Sequence, residues 1–100
     1  VPGVSLHPAP GHTPGTVMVR LDDGRRAAWL IGDVVHHPIQ VERPDWFSRF
    51  CDDPAGACAS RGRLLELVAD TGMRLIPAHF PAPTSVQIRR EAGGYRVDTD

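Results

Sequence analysis

Apolar residues along this chain gather in short stretches of strand length, broken by Gly, Pro and Asp. Val4 to Pro8 alternates weakly and predicts a strand that ends in the Pro10-Gly11 loop. Thr16 to Leu21 (Thr-Val-Met-Val-Arg-Leu) is dense in β-branched residues, which suit a pleated, half-buried surface. Asp22-Asp23-Gly24 is a turn signal of the Asp-Gly type. Arg26 to Ile31 then returns and becomes continuously apolar toward its end, a pattern that predicts burial on both faces. Together the two runs predict a hairpin whose second arm delivers Gly32-Asp33.

The next segment has weaker periodicity. Val34-Val35-His36-His37-Pro38 leaves the strand, and Pro44-Asp45-Trp46-Phe47 predicts a helical turn with Pro at its first position. Asp53 fits an N-cap and Pro54 the first helical position, so a helix is expected from there to about Thr71. Leu64, Leu65, Val68 and either Ala57 or Cys58 would face inward, and Gly72 fits the left-handed position that ends a helix. Met73 to Pro77 predicts a further strand running toward His79. After the Pro81–Thr84 loop, Val86 to Arg89 and Tyr95 to Val97 flank Gly93-Gly94 as a terminal hairpin. The fold class is therefore α/β, with a mostly antiparallel sheet and at least one covering helix.

Length and composition narrow the function classes. With 100 residues, 41% hydrophobic and 23% charged, the chain is one small globular domain or a piece of one. A formal net charge of −1 leaves no basic footprint for nucleic acid or an anionic membrane. No apolar run approaches the roughly 20 residues of a membrane span. Val1-Pro2-Gly3 carries no initiator Met and no signal-peptide pattern, and reads as the interior of a longer protein. Cys51 and Cys58 are too far apart for a Cys-x-x-Cys site and read as free thiols of a reducing, cytoplasmic setting.

The chemistry lies at three strand ends. Gly11-His12-Thr13-Pro14-Gly15, Gly32-Asp33 and Ala78-His79-Phe80-Pro81 each place one metal-type ligand just past an apolar run. Two imidazoles and a carboxylate are good zinc ligands, and a carboxylate can bridge two cations. Thr13 could hydrogen-bond and orient an imidazole. His36 and His37 read as loop histidines, with pocket lining the less favoured role, and His7 as structural. Trp46, Phe47 and Phe50 would either wall an apolar pocket or pack a short helix. Arg61 and Arg63 read as residues of a solvated helix face or of ion pairs.

In that order, Gly-His-Thr-Pro-Gly, Gly-Asp and Ala-His-Phe-Pro resemble the C-terminal half of the metallo-β-lactamase superfamily, over residues 1–100. The branch that looks like methyl parathion hydrolase and related lactonases and esterases fits best. The resemblance implies half of an αββα sandwich. It implies His12 as a ligand of the first metal, Asp33 as the bridge and catalytic carboxylate, and His79 as a ligand of the second metal. The cofactor would be zinc, two ions in the complete protein, with manganese, cobalt or iron suiting the same ligands. The family's His-x-His-x-Asp-His motif is absent from this sequence. The chain alone is thus expected to be inactive, and to pair with the missing N-terminal half or with itself. The implied reaction is hydrolysis of a small-molecule ester, lactone or phosphotriester. A glyoxalase II-like thioesterase, a di-iron relative and a non-catalytic assembly piece are the other readings.

Overall fold

A computed structural model describes residues 1–99. Six strands and two helices run in the order β1 (Val4–Pro8), β2 (Val17–Asp22), β3 (Ala27–Gly32), α1 (Ile39–Glu42), α2 (Pro54–Val68), β4 (Arg74–Pro77), β5 (Gln87–Glu91) and β6 (Gly94–Asp98). The main sheet has the order β1-β2-β3-β4, and β5-β6 form a separate two-stranded sheet. β1, β2 and β3 are antiparallel neighbours, with Leu6 opposite Val19 and Val19 opposite Leu30. β4 lies parallel to β3. Parallel pairing requires a long crossover, and the segment containing α1 and α2 supplies it. Asp33 and His79 therefore leave the sheet at the same end.

The two faces of the main sheet differ. On one face Met18, Trp29, Ile31 and Leu75 are buried together with Leu64, Leu65 and Val68 of α2 and with Val86 and Ile88. Leu65 and Ile31 are completely buried, each worth about 1.5–3 kcal/mol of transfer free energy. On the other face Leu6 is 67% exposed, and Val4, Val17, Leu21 and Leu30 are also open to solvent. Residues alternate between faces along a strand, so these side chains form one contiguous apolar surface that none of the described residues covers.

Local chemistry explains where the elements start and stop. The Asp53 carboxylate accepts a hydrogen bond from the Gly56 amide at 3.1 Å, with Pro54 at the first helical position. α2 stops at Val68, short of Thr71. Asp70 rather than Gly72 takes the first left-handed conformation (φ 59°), and its amide turns to the Ile88 carbonyl at 2.9 Å. The helical turn expected at Pro44 forms earlier, as α1. Gln40 of α1 is buried and ties the two ends of its loop together. Its side chain accepts from the His36 amide at 2.7 Å and donates to the Trp46 carbonyl at 3.2 Å.

Arg61 overturns the reading of a solvated helix face, because it is completely buried. Its guanidinium donates to the carbonyls of Val34 (2.9 Å), Pro44 (2.7 Å) and Trp46 (2.8 Å). Among the described residues no carboxylate pairs with it. The positive charge is instead spent on backbone oxygens of the 34–46 loop, one of which, that of Trp46, it shares with Gln40.

Candidate metal centre

The β1–β2 loop carries His12, and the first turn of α2 shapes that loop. Asp53 and Asp52 donate their amides to the carbonyls of Gly11 (2.8 Å) and His12 (3.0 Å). Gly11 has φ +145°, and a Cβ there would fall inside the Gly56–Ala57 backbone. Glycine is the residue that permits both the conformation and the close approach. Asp33 follows Gly32, which has φ +51° and whose carbonyl accepts from the Ala78 amide at 3.2 Å. That bond joins the end of β3 to the segment bearing His79.

These placements bring His12, Asp33 and His79 to one rim of the sheet. His12 Nε2 lies 3.6 Å from Asp33 Oδ2, and His79 Nε2 lies 3.1 Å from Asp33 Oδ1. His36 joins them, with its Nε2 at 3.4 Å from Asp33 Oδ1. The His36 ring meets His12 edge-on at 4.6 Å between centroids and stacks on His79 at 6.0 Å. His12 and His36 are largely covered, whereas the His79 side chain is 63% exposed at the lip.

Despite these short distances, Asp33 Oδ1 is a buried acceptor with no hydrogen bond, because the neighbouring imidazoles do not approach it as aligned donors. A buried carboxylate oxygen left unpaired is costly, and a cation would satisfy it. Zinc holds ligands at about 2.0–2.2 Å in a tetrahedron, which separates them by roughly 3.3 Å. The carboxylate–imidazole distances at this rim bracket that value. The donor set therefore fits a divalent cation.

Burial holds the His36 pKa below the ordinary histidine value of 6.5. The Asp33 carboxylate acts in the opposite direction, while His12, His79 and Arg61 add to the depression. His36 is thus neutral at pH 7, the form in which an imidazole can coordinate. Cys51 Sγ sits 3.7 Å from His12 Nδ1, on the far side of that ring from Asp33. Thr13 does not orient the imidazole; its hydroxyl pairs with that of Thr16 at 2.8 Å.

Other histidines serve the scaffold. His37 Nδ1 accepts from the Ile39 amide at 3.1 Å. His7 bonds Ser5 at 2.8 Å and packs edge-on against Trp29. Trp46, Phe47 and Phe50 do not pack a core, being 54%, 56% and 71% exposed. A broad depression lies elsewhere, at the opposite end of the strands around Asp22, Arg26 and Arg74. It contains no imidazole.

No protein-family model and no curated protein matches the chain. Solved structures do. The chain is similar to AidC, a dizinc quorum-quenching lactonase in complex with a product, at 29% identity with a TM-score of 0.90. That match covers 98% of this chain and 34% of that one. It is also similar to the hydrolase AbOPH of the β-lactamase superfamily, at 25% identity and a TM-score of 0.91, over 100% of this chain and 35% of that one. A third match is an N-acyl homoserine lactone hydrolase with N-hexanoyl-L-homoserine bound at its catalytic metal center. There the identity is 28% and the TM-score 0.67, over 80% of this chain and 32% of the other. The chain spans about a third of the length of each of these structures.

Proposed function

From the premise that this chain has the fold of the C-terminal part of a metallo-β-lactamase superfamily hydrolase, we propose that it supplies one side of a two-zinc hydrolytic centre. The observation that carries the reading is the Asp33 carboxylate, whose two oxygens face different imidazoles: Oδ2 faces His12 and Oδ1 faces His79. A carboxylate presented in that way is suited to bridging two cations. His12 would hold the first ion and His79 the second, with the remaining ligands and the second sheet coming from outside residues 1–100. The chain alone would then be inactive.

When bound, two zinc ions lower the pKa of a coordinated water from 15.7 to about 7, so that a nucleophile exists at neutral pH. The residues of this chain orient that chemistry. Asp33 would hold both ions through its two carboxylate oxygens. His12 presents Nε2 to the rim while Cys51 lies against its Nδ1. The exposed aromatic side chains of Trp46, Phe47 and Phe50 offer an apolar wall for the acyl part of a substrate. Small lactones and esters are the substrate class, with aryl phosphotriesters as the alternative on the same centre.

The test uses the protein extended upstream to include a His-x-His-x-Asp-His segment. A panel of N-acyl lactones, aryl esters, thioesters and phosphotriesters is assayed with zinc. Lactone or ester turnover is expected, together with its loss below detection in Asp33→Asn. Full activity in that variant would remove Asp33 from the centre.

A second reading is favoured by the uncovered sheet face. The surface formed by Val4, Leu6, Val17, Leu21 and Leu30 is suited to pack against the missing half or, in its absence, another copy.

A further inference from the structure

His36 has no role in the two-metal scheme, although it occupies the centre of the rim. We infer that His12, Asp33 and His36 form a self-contained site for a single zinc-type divalent cation, closed without any ligand from outside this chain. The inference rests on the reading of His12 and Asp33 as ligands and adds a third that the sequence motifs do not point to.

The geometry is specific to this trio. One ligand atom from each of His12, Asp33 and His36 can be chosen so that all lie within 4.8 Å of one another, and among the described residues this is the group that meets that condition. His79 is near Asp33 but does not complete such a group. Three protein ligands with a fourth position open is the arrangement of catalytic rather than structural zinc. The partly solvent-accessible rim leaves that fourth position to water.

The imidazole is also held in place. The His36 amide is bonded to Gln40, which is itself buried, and the Val34 carbonyl two residues earlier is bonded to the buried guanidinium of Arg61. The backbone from Asp33 to His36 is thereby fixed at both ends of a single turn, with Val34 and Val35 buried between the two ligands. His36 Nδ1 is buried with no hydrogen-bond partner. No competing bond turns the ring away from the rim.

The test is a zinc titration of the metal-free 100-residue chain against a chromophoric chelator, repeated with cobalt for its absorption spectrum. One equivalent is expected to bind. His36→Ala and His36→Asn should each weaken binding by about tenfold or more and change the cobalt bands, with an unchanged circular dichroism spectrum. The control His7→Ala, remote from the rim, should bind as the parent does. If both His36 variants bind like the parent while His12→Ala and Asp33→Asn fail, the third ligand is wrong and the two-metal proposal stands. If His12→Ala and Asp33→Asn also bind like the parent, both ideas fall. A parent chain that binds no zinc overturns the self-contained site, and the extended protein then decides the two-metal proposal separately.

Discussion

At the scale of single residues, Arg61 shows most clearly how the interior serves the rim. One fully buried guanidinium gathers three carbonyls of the 34–46 loop, the loop that starts at Asp33 and contains His36. Hydrogen bonds from a charged donor contribute about 1.5–3 kcal/mol each, and orphaned buried carbonyls add a penalty when the donor is removed. Arg61→Leu is therefore expected to cost about 3 kcal/mol or more, read as a lowered urea midpoint. Arg61→Lys should recover only part of that, because an ammonium cannot reproduce the planar fork. Arg61 was not legible in the sequence. An Arg in a helix ordinarily signals solvent, and nothing local reveals a set of unpaired carbonyls brought against it by the crossover. His36 escaped for a related reason. Its pairing with Asp33 is a three-residue spacing in an apolar loop, a signal too common to single out without the turn that Gln40 closes.

At the scale of elements, the packing of α2 on the terminal hairpin gives a pH-dependent tie. The Glu66 carboxylate accepts from Arg90 at two contacts of 3.0 Å and from the Tyr95 hydroxyl at 2.6 Å. The Arg90 bonds, then the Tyr95 bond, hold its pKa below the ordinary 4.5. A carboxyl lowered in the folded state stabilises the fold above its unfolded pKa, and that contribution is lost as pH falls through the folded value. The melting temperature of Glu66→Gln should therefore lie slightly below that of the parent at pH 7. The gap should close at pH values beneath the ordinary carboxylate range. A gap that persisted in acid would mean that the tie acts through packing. The strands, the hairpin turns and the N-terminal cap of α2 were legible because each is written in a few adjacent residues. The end of α2 was not, since it depends on the Ile88 carbonyl, a partner remote in sequence, and the position of α1 was not, since it depends on the bonds that the buried Gln40 side chain makes to the His36 amide and the Trp46 carbonyl, which no hydrophobic pattern records.

At the scale of the whole molecule, a sheet covered on one face has a predictable solution behaviour. The chain on its own is expected to associate in size-exclusion chromatography, and Leu6→Glu with Leu30→Glu should shift it toward the monomer. A monodisperse monomer of the unaltered chain would mean that the apolar face needs no cover. The convergence of His12, Asp33 and His79 rests on the parallel pairing of β3 with β4, which no local pattern specifies. That pairing contains an irregularity: Leu30 stands opposite Ile76 and Gly32 opposite Pro77, so Ile31 has no counterpart across the ladder. One surplus residue changes which way everything after it points. The carboxylate is aimed by a count of residues as much as by its identity. A relative one residue shorter between Leu30 and Asp33 could keep every motif and still turn its acid away from the histidines. Length across those few positions is thus the first thing to compare when judging which kin share this chemistry.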